Sequence, residues 1–126
     1  MSVLALSAAA LFTFCTNAPC ETCVVDGDTF WLAGEKVRIA DINAPETGQA
    51  RCASERQRGE AAKLRLLELL NRGPVLLVGG RRSHDRYGRR LAVVTRQGRS
   101  LGAQLVTEGL AEPWRGRRSS WCGTGA

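Results

Sequence analysis

Residues 25–47 read VDGDTFWLAGEKVRIADINAPET, and their hydrophobic spacing decides the fold. Asp26-Gly27-Asp28 and Ala33-Gly34-Glu35 are clusters of turn formers. Around them lie three runs of β-prone residues, at 22–25, 29–32 and 36–42. In the third run Val37 and Ile39 fall on one face and Arg38 and Ala40 on the other, the period of two that a strand requires. Three such runs joined by two short turns predict a three-strand meander. Pro45 ends it, because proline cannot supply the N–H that a ladder needs.

Downstream the period lengthens. Ser54 starts a helix, and Gln57 three residues later completes a capping box. Ala62, Leu66 and Leu69 recur at helical spacing, with Leu67 and Leu70 widening the apolar stripe. Asn71-Arg72-Gly73-Pro74 stops that helix. Residues 75–78 and 91–95 form two further strands, with the Arg-rich segment 81–90 between them. After a turn at 96–99, Ser100 caps a second helix that runs to about Glu108, with Gly109 as its stop. The order β-β-β-α-β-β-α predicts an α+β fold. Five strands with a helix between the third and fourth fit an OB-fold, a five-stranded Greek-key barrel whose surface commonly binds nucleic acid.

The chain has 126 residues and a 44% apolar composition, which fits one compact domain and argues against disorder. The formal net charge is +6, carried by 16 Arg and only 2 Lys. Arginine binds phosphate oxygens in pairs where lysine acts as a point charge, so the bias favours phosphate recognition. The charge is also uneven. Residues 1–50 are net −4, whereas residues 81–118 carry ten Arg against Asp85, Glu108 and Glu112, a net +7. An acidic spot beside a basic field fits a metal site set into a polyanion-binding surface.

Residues 3–14 form an uncharged apolar run, too short to span a membrane as a helix. The run resembles the core of a secretory signal, with cleavage expected after Ala18, so residues 1–18 read as a leader and 19–126 as the domain. No Lys or Arg precedes the run, so the alternatives are a truncated start or a buried first strand. Removal of the leader would leave Cys20, Cys23, Cys52 and Cys122, enough for two disulfides in three pairings, at least one expected to involve Cys122. Cys20 and Cys23 also have the spacing of a zinc or redox motif. No second such pair accompanies them, and the βαβ setting of redox proteins is missing. His84 reads as an exposed loop histidine.

Carboxylates are hard oxygen ligands that suit Ca²⁺ or Mg²⁺, and arginines suit phosphate. Both kinds are crowded into residues 26–46, and a second polar string, residues 85–89, follows. The combination suits metal-assisted attack on a phosphodiester. Three strings stand in order: Val25-Asp26-Gly27-Asp28-Thr29, Val37-Arg38-Ile39 leading into Ala44-Pro45-Glu46-Thr47, and Asp85-Arg86-Tyr87-Gly88-Arg89. Together they resemble the staphylococcal nuclease family, thermonuclease-like and calcium-dependent, from about residue 22 to about residue 114.

The resemblance implies the nuclease variant of the OB-fold, and a set of roles. Asp28, Asn43 and the backbone carbonyl of Ala44 match the Ca²⁺ ligands, and Glu46 matches the general base. Arg38 and Arg89 match the clamp on the scissile phosphate. Tyr87 matches a phosphate or sugar contact, and Trp114 lies near an aromatic that stacks on a base. Two positions depart: Asn43 stands where the family usually has Asp, and Ala44 where Thr is commoner. An amide oxygen still coordinates Ca²⁺, with one charge fewer. Asp41 is a candidate to compensate if the strand persists through Ala44. Asp26 reads as a turn former. The resemblance implies an exported, monomeric enzyme, not bound to membranes, that hydrolyses DNA and RNA with little sequence preference and leaves 3′-phosphate ends. The alternative is a non-catalytic nucleic-acid-binding module. Asn43 favours it, and retention of Asp28, Arg38, Glu46 and Arg89 argues against it.

Overall fold

A computed structural model describes residues 11–18, 20–79 and 84–122. The meander forms as the turn spacing predicts. β1 is Thr13–Phe14, β2 Cys23–Asp26, β3 Thr29–Leu32, β4 Glu35–Ile39 and β5 Ile42–Asn43. Helix α1 follows at Ala53–Leu70, then β6 Leu76–Val78, β7 Arg90–Arg96, β8 Arg99–Ser100, α2 Leu101–Thr107 and β9 Glu112–Pro113. The main sheet runs β1-β2-β3-β4-β7-β6, with β8 on β7, and β5 pairs with β9 apart from it. The five longer strands β2, β3, β4, β7 and β6 are the five that the pattern predicts. Among the described residues the ladder stays open between β6 and the β1–β2 end, where α1 packs on β2.

One register positions the site. β4 runs parallel to β7 with Val37 opposite Arg90 and Arg38 opposite Leu91. Residue 89, just before β7, is thereby brought beside Arg38 from fifty positions away. The strand forms with the expected alternation of faces. Val37 and Ile39 are buried as expected, but Arg38 on the other face is also buried, at 8% exposure.

The α1 stripe goes where its spacing sends it: Ala62, Leu66, Leu69 and Leu70 join Val24, Phe30, Val37, Ile39, Val94 and Leu105 in the core. Its start differs from the sequence reading. Cys52, two residues before Ser54, is the N-cap, and its sulfur accepts the Glu55 N–H at 3.4 Å. Glu55, not Gln57, then reaches back with its carboxylate to the Arg51 N–H at 3.0 Å. Ser100 caps α2 as expected.

Residues 11–18 are built into the fold. Phe12 is buried and meets Phe30 edge-on, its N–H and carbonyl bonded to the Asn71 side chain. β1 pairs with β2, and Cys15 is disulfide-bonded to Cys23. A cut after Ala18 would remove all three features. Residues 1–10, with most of the apolar run, lie outside the described residues, as does Pro19. The second disulfide joins Cys52 to Cys122, so the expectation for Cys122 holds. Cys20 keeps an exposed thiol, and Cys23 is committed to Cys15, so the 20/23 pair makes neither a dithiol nor a zinc knuckle. Among the described residues, no helix is long and apolar enough to cross a membrane.

α1 crosses the site loops at two glycines because nothing larger fits. A Cβ on Gly27 would lie 2.6 Å from the Ala62 Cβ, and one on Gly59 would lie 2.5 Å from the Glu46 carbonyl oxygen. Gly59→Ala therefore sets two effects against each other. Alanine favours a helix by up to about 1 kcal/mol over glycine, and overpacking costs about 1–3 kcal/mol. The obstacle is backbone, which cannot rotate aside, so overpacking should win. The expected outcome is a lower urea midpoint at an unchanged slope.

Candidate active site

Two aspartates at the β2–β3 turn, Asp28 buried and Asp26 half-buried, organise the site. Asp28 is 3% exposed. Its Oδ1 accepts the Thr29 hydroxyl at 2.9 Å, its Oδ2 accepts the Ala44 N–H at 2.9 Å, and the Arg38 guanidinium stands 3.6 Å from Oδ2. Asp26 does not close its own turn, as the sequence suggests. Its Oδ1 accepts both the N–H and the hydroxyl of Thr47, the latter at 2.6 Å. The turn and the 44–47 loop are thus stitched together by two carboxylates. Burial raises the Asp26 pKa above the ordinary carboxylate range, the Thr47 hydroxyl pulls it back, and neighbouring Asp28 raises it again.

Glu46 sits in that loop. Its N–H donates to Glu55 Oε2 at 3.0 Å, which ties the loop to the start of α1. Burial pushes its carboxyl pKa up, and the nearby Asp26 pushes it further. Arg118 opposes this from 3.4 Å away, Nη1 to Oε2. Asn43 is buried on β5 and lies opposite Glu112 of β9. Its Nδ2 donates to Glu112 Oε2 at 3.1 Å. Asp41 does not share this neighbourhood. Its Oδ2 accepts the Ser100 hydroxyl at 2.7 Å, at the start of α2, because the chain bends between β4 and β5. Compensation for Asn43 by Asp41 is therefore ruled out by position.

Arg38 is held through Nη1, which donates to the carbonyls of Ile39 and Ile42. Burial lowers its pKa, Asp28 raises it, and Arg89 and Arg118 lower it. Trp114 is half-exposed, not in the core, and lies 5.6 Å from the Arg38 guanidinium. The β5–β9 pair puts it there, and its N–H bonds the Asp41 carbonyl. Arg89 is fixed by Asp85, Nε to Oδ2 at 2.7 Å, and lies 5.2 Å from the Tyr87 ring. Gly88, at φ +80°, lets that turn close. Tyr87 is mostly exposed.

These residues fall into two adjoining pockets. Arg38, Arg89, Tyr87 and Trp114 line a cavity of about 370 Å³. Asn43, Ala44 and Glu46 line a narrower one of about 140 Å³ with Glu55 and Trp121. Arg118 lines both. The chemistry of the first is anion binding, and that of the second is oxygen donation. His84 belongs to neither: its Nε2 is 3.4 Å from Glu35 at the start of β4. Among the described residues, no three His, Cys, Asp or Glu side chains converge as a metal cluster. A cation here would need amide and carbonyl oxygens as well.

A sequence profile described as Staphylococcal nuclease homologue matches residues 36–121. The chain belongs to this family. Two relatives are similar over most of it. It is 36% identical to a Haemophilus influenzae protein named as an uncharacterized endonuclease, over 93 residues covering 70% of this chain and 47% of the relative. It is 35% identical to a Shigella flexneri protein named micrococcal nuclease, over 105 residues covering 73% and 55%. The chain thus spans about half the length of these relatives. Family membership accords with the OB-fold reading of the five longer strands.

Sequence reasoning missed Glu55 and Glu112, and read Arg118 only as part of an outlying basic cluster with Arg115 and Arg117. Glu55 was legible, since Cys52-x-x-Glu55 has capping spacing, but cysteine is rarely read as a cap. Glu112 and Arg118 reach the site only through the β5–β9 pairing and the Cys52–Cys122 bond, which no local pattern announces.

The Asp85–Arg89 hold can be tested by titration. Burial raises the Asp85 pKa, but hydrogen bonds from the N–H groups of Arg89 and Tyr87 and from the Arg89 side chain outweigh it, so the pKa is lowered. A depressed carboxylate stabilises the fold above its unfolded pKa, and the contribution is lost as pH falls through the folded one. Carboxyl-carbon NMR should find Asp85 titrating below the ordinary range. In Arg89→Gln, where burial persists, its midpoint should rise.

Proposed function

We propose that this domain is an exported, Ca²⁺-dependent nuclease that hydrolyses DNA and RNA with little sequence preference. The observation that carries the reading is the adjacency of the arginine-lined cavity to the pocket holding Glu46. A phosphate seated against Arg38 and Arg89 would present its phosphorus to a water held by Glu46. The donor set fits Ca²⁺: the Asp28 carboxylate, the Asn43 amide oxygen and the Ala44 carbonyl would hold it, all hard oxygens. The repulsion among Asp26, Asp28 and Glu46 is the kind that a divalent cation relieves. When bound, the ion would withdraw charge from the scissile phosphate.

The chain's own groups supply the rest. Glu46 takes a proton from water as the water oxygen bonds to phosphorus. The bond from phosphorus to the 5′ oxygen breaks, leaving a 3′-phosphate, and the departing oxygen takes up a proton from solvent. Arg38 and Arg89 stabilise the charge that builds on the phosphoryl oxygens. A guanidinium is a poor acid, so their help is electrostatic. Contacts made to phosphate carry no base information, which accounts for weak sequence preference. The Cys52–Cys122 disulfide, which a cut after Ala18 would keep, supports an oxidising destination.

Plasmid and RNA digestion with Ca²⁺ and with chelator tests the reading. Cleavage of both substrates is expected only with Ca²⁺, and Glu46→Gln should lower the rate by about 10²–10⁴-fold, the usual contribution of a general base. Near-native turnover by that variant would remove Glu46 from the mechanism. Retained binding without any cleavage by the native chain would leave the binding-module alternative. Asn43 adds a calorimetric test. Asn43→Asp by itself faces Glu112 across the β5–β9 pair and should gain little. Combined with Glu112→Gln, it moves the charge to position 43 and should tighten Ca²⁺ binding.

A further inference from the structure

The sequence groups Arg118 with Arg115 and Arg117 as an outlying basic cluster. The structure places it elsewhere. Arg118 lies at the border of the two pockets, ion-paired to the Glu46 carboxylate at 3.4 Å. It is carried there by a polar and a covalent tie just after it in the chain. Cys122 is bonded to Cys52, the N-cap of α1, and the Ser119 hydroxyl donates to Glu112 Oε1 at 2.7 Å. The segment from β9 to Cys122 is thus a strap closed over the Glu46 pocket.

We propose that Arg118 is a further substrate-binding residue, which takes a phosphate of the nucleic acid and in doing so releases Glu46; this rests on the nuclease reading above. The side chain is 54% exposed. Glu46 is 18% exposed, so the pair is open to solvent on the Arg118 side only. At 3.4 Å it is longer than a charge-assisted hydrogen bond, whereas a guanidinium on a phosphate makes two short ones. The exchange therefore runs toward the phosphate. Before substrate arrives, Glu46 is held by a cation and cannot serve a water well. Once Arg118 turns to a phosphate in the neighbouring cavity, the carboxylate is open. Arg118, Arg38 and Arg89 line that cavity together, so a phosphate there meets three guanidiniums. The disulfide keeps the third within reach at little entropic cost.

The test combines kinetics and binding. Arg118→Gln should raise KM for an oligonucleotide roughly tenfold, the scale of one lost charge-assisted contact, with kcat changing less than about threefold. Arg118→Lys should recover part of the loss. Cys52→Ser/Cys122→Ser keeps an N-cap oxygen and should raise KM in the same direction. If that variant does not melt cooperatively, the Arg118 pair decides. Anisotropy of a fluorescein-labelled oligothymidylate in chelator reads binding without hydrolysis. There Glu46→Gln should bind several-fold tighter than the native chain, and this gain should vanish when Arg118→Gln is added. A native chain that never cleaves would sink the nuclease reading, and the anisotropy cycle would still judge Arg118. An unchanged KM, or a Glu46→Gln gain that persists without Arg118, overturns the proposal.

Discussion

The site depends on buried carboxylates accepting backbone N–H groups from loops distant in sequence. Asp28 takes the Ala44 N–H, Asp26 the Thr47 N–H, and Glu55 those of Glu46 and Arg51. A buried anion is tolerable only when such donors replace its water. Here the replacement donors are the 44–51 loop itself. The desolvation that strains the carboxylates also fixes the backbone that carries Ala44 and Glu46. Remove one acceptor, and a buried N–H is orphaned at about 1–3 kcal/mol. The loop is thereby stiff without being part of a long strand or helix.

The same arrangement explains why α1 packs so close. Gly27 and Gly59 leave the helix and the two loops within van der Waals contact. Glu55, one turn before Gly59, can then reach the loop with its carboxylate. A larger residue at either glycine would separate the helix from the acceptors it brings. Core packing and site geometry are therefore a single constraint on this face of the molecule.

Much of this was legible in the sequence because it is local. Turn residues and period-two spacing locate β2, β3 and β4, and the leucine spacing locates α1. Motif strings name Arg38, Glu46 and Arg89, which line the adjoining pockets, and Asp28, which lies behind them against the Arg38 guanidinium. What stayed hidden is nonlocal. The first disulfide uses Cys15, inside the run read as a leader, because Phe12 and β1 complete the sheet edge. Asp26 binds 21 residues away, not in its own turn. Asn43 looks like a lost charge in sequence. In the fold it is a neutral partner for Glu112, and an Asp there would oppose a second carboxylate across the β5–β9 pair.

That last pairing bears on how a departure at a ligand position should be read. A substitution of Asp by Asn is commonly taken as decay of a site. Here the charge missing at position 43 is present one strand over, on Glu112, whose other oxygen anchors the strap through Ser119. An Asn at 43 also has a defined orientation. Its Nδ2 is spent on Glu112, so its only acceptor, Oδ1, is left to face other groups. A degenerate position would have no reason to hold its amide in one sense by a bond to a half-buried strand partner. The amide oxygen is thereby kept free of that bond, with the negative charge across the strand pair on Glu112.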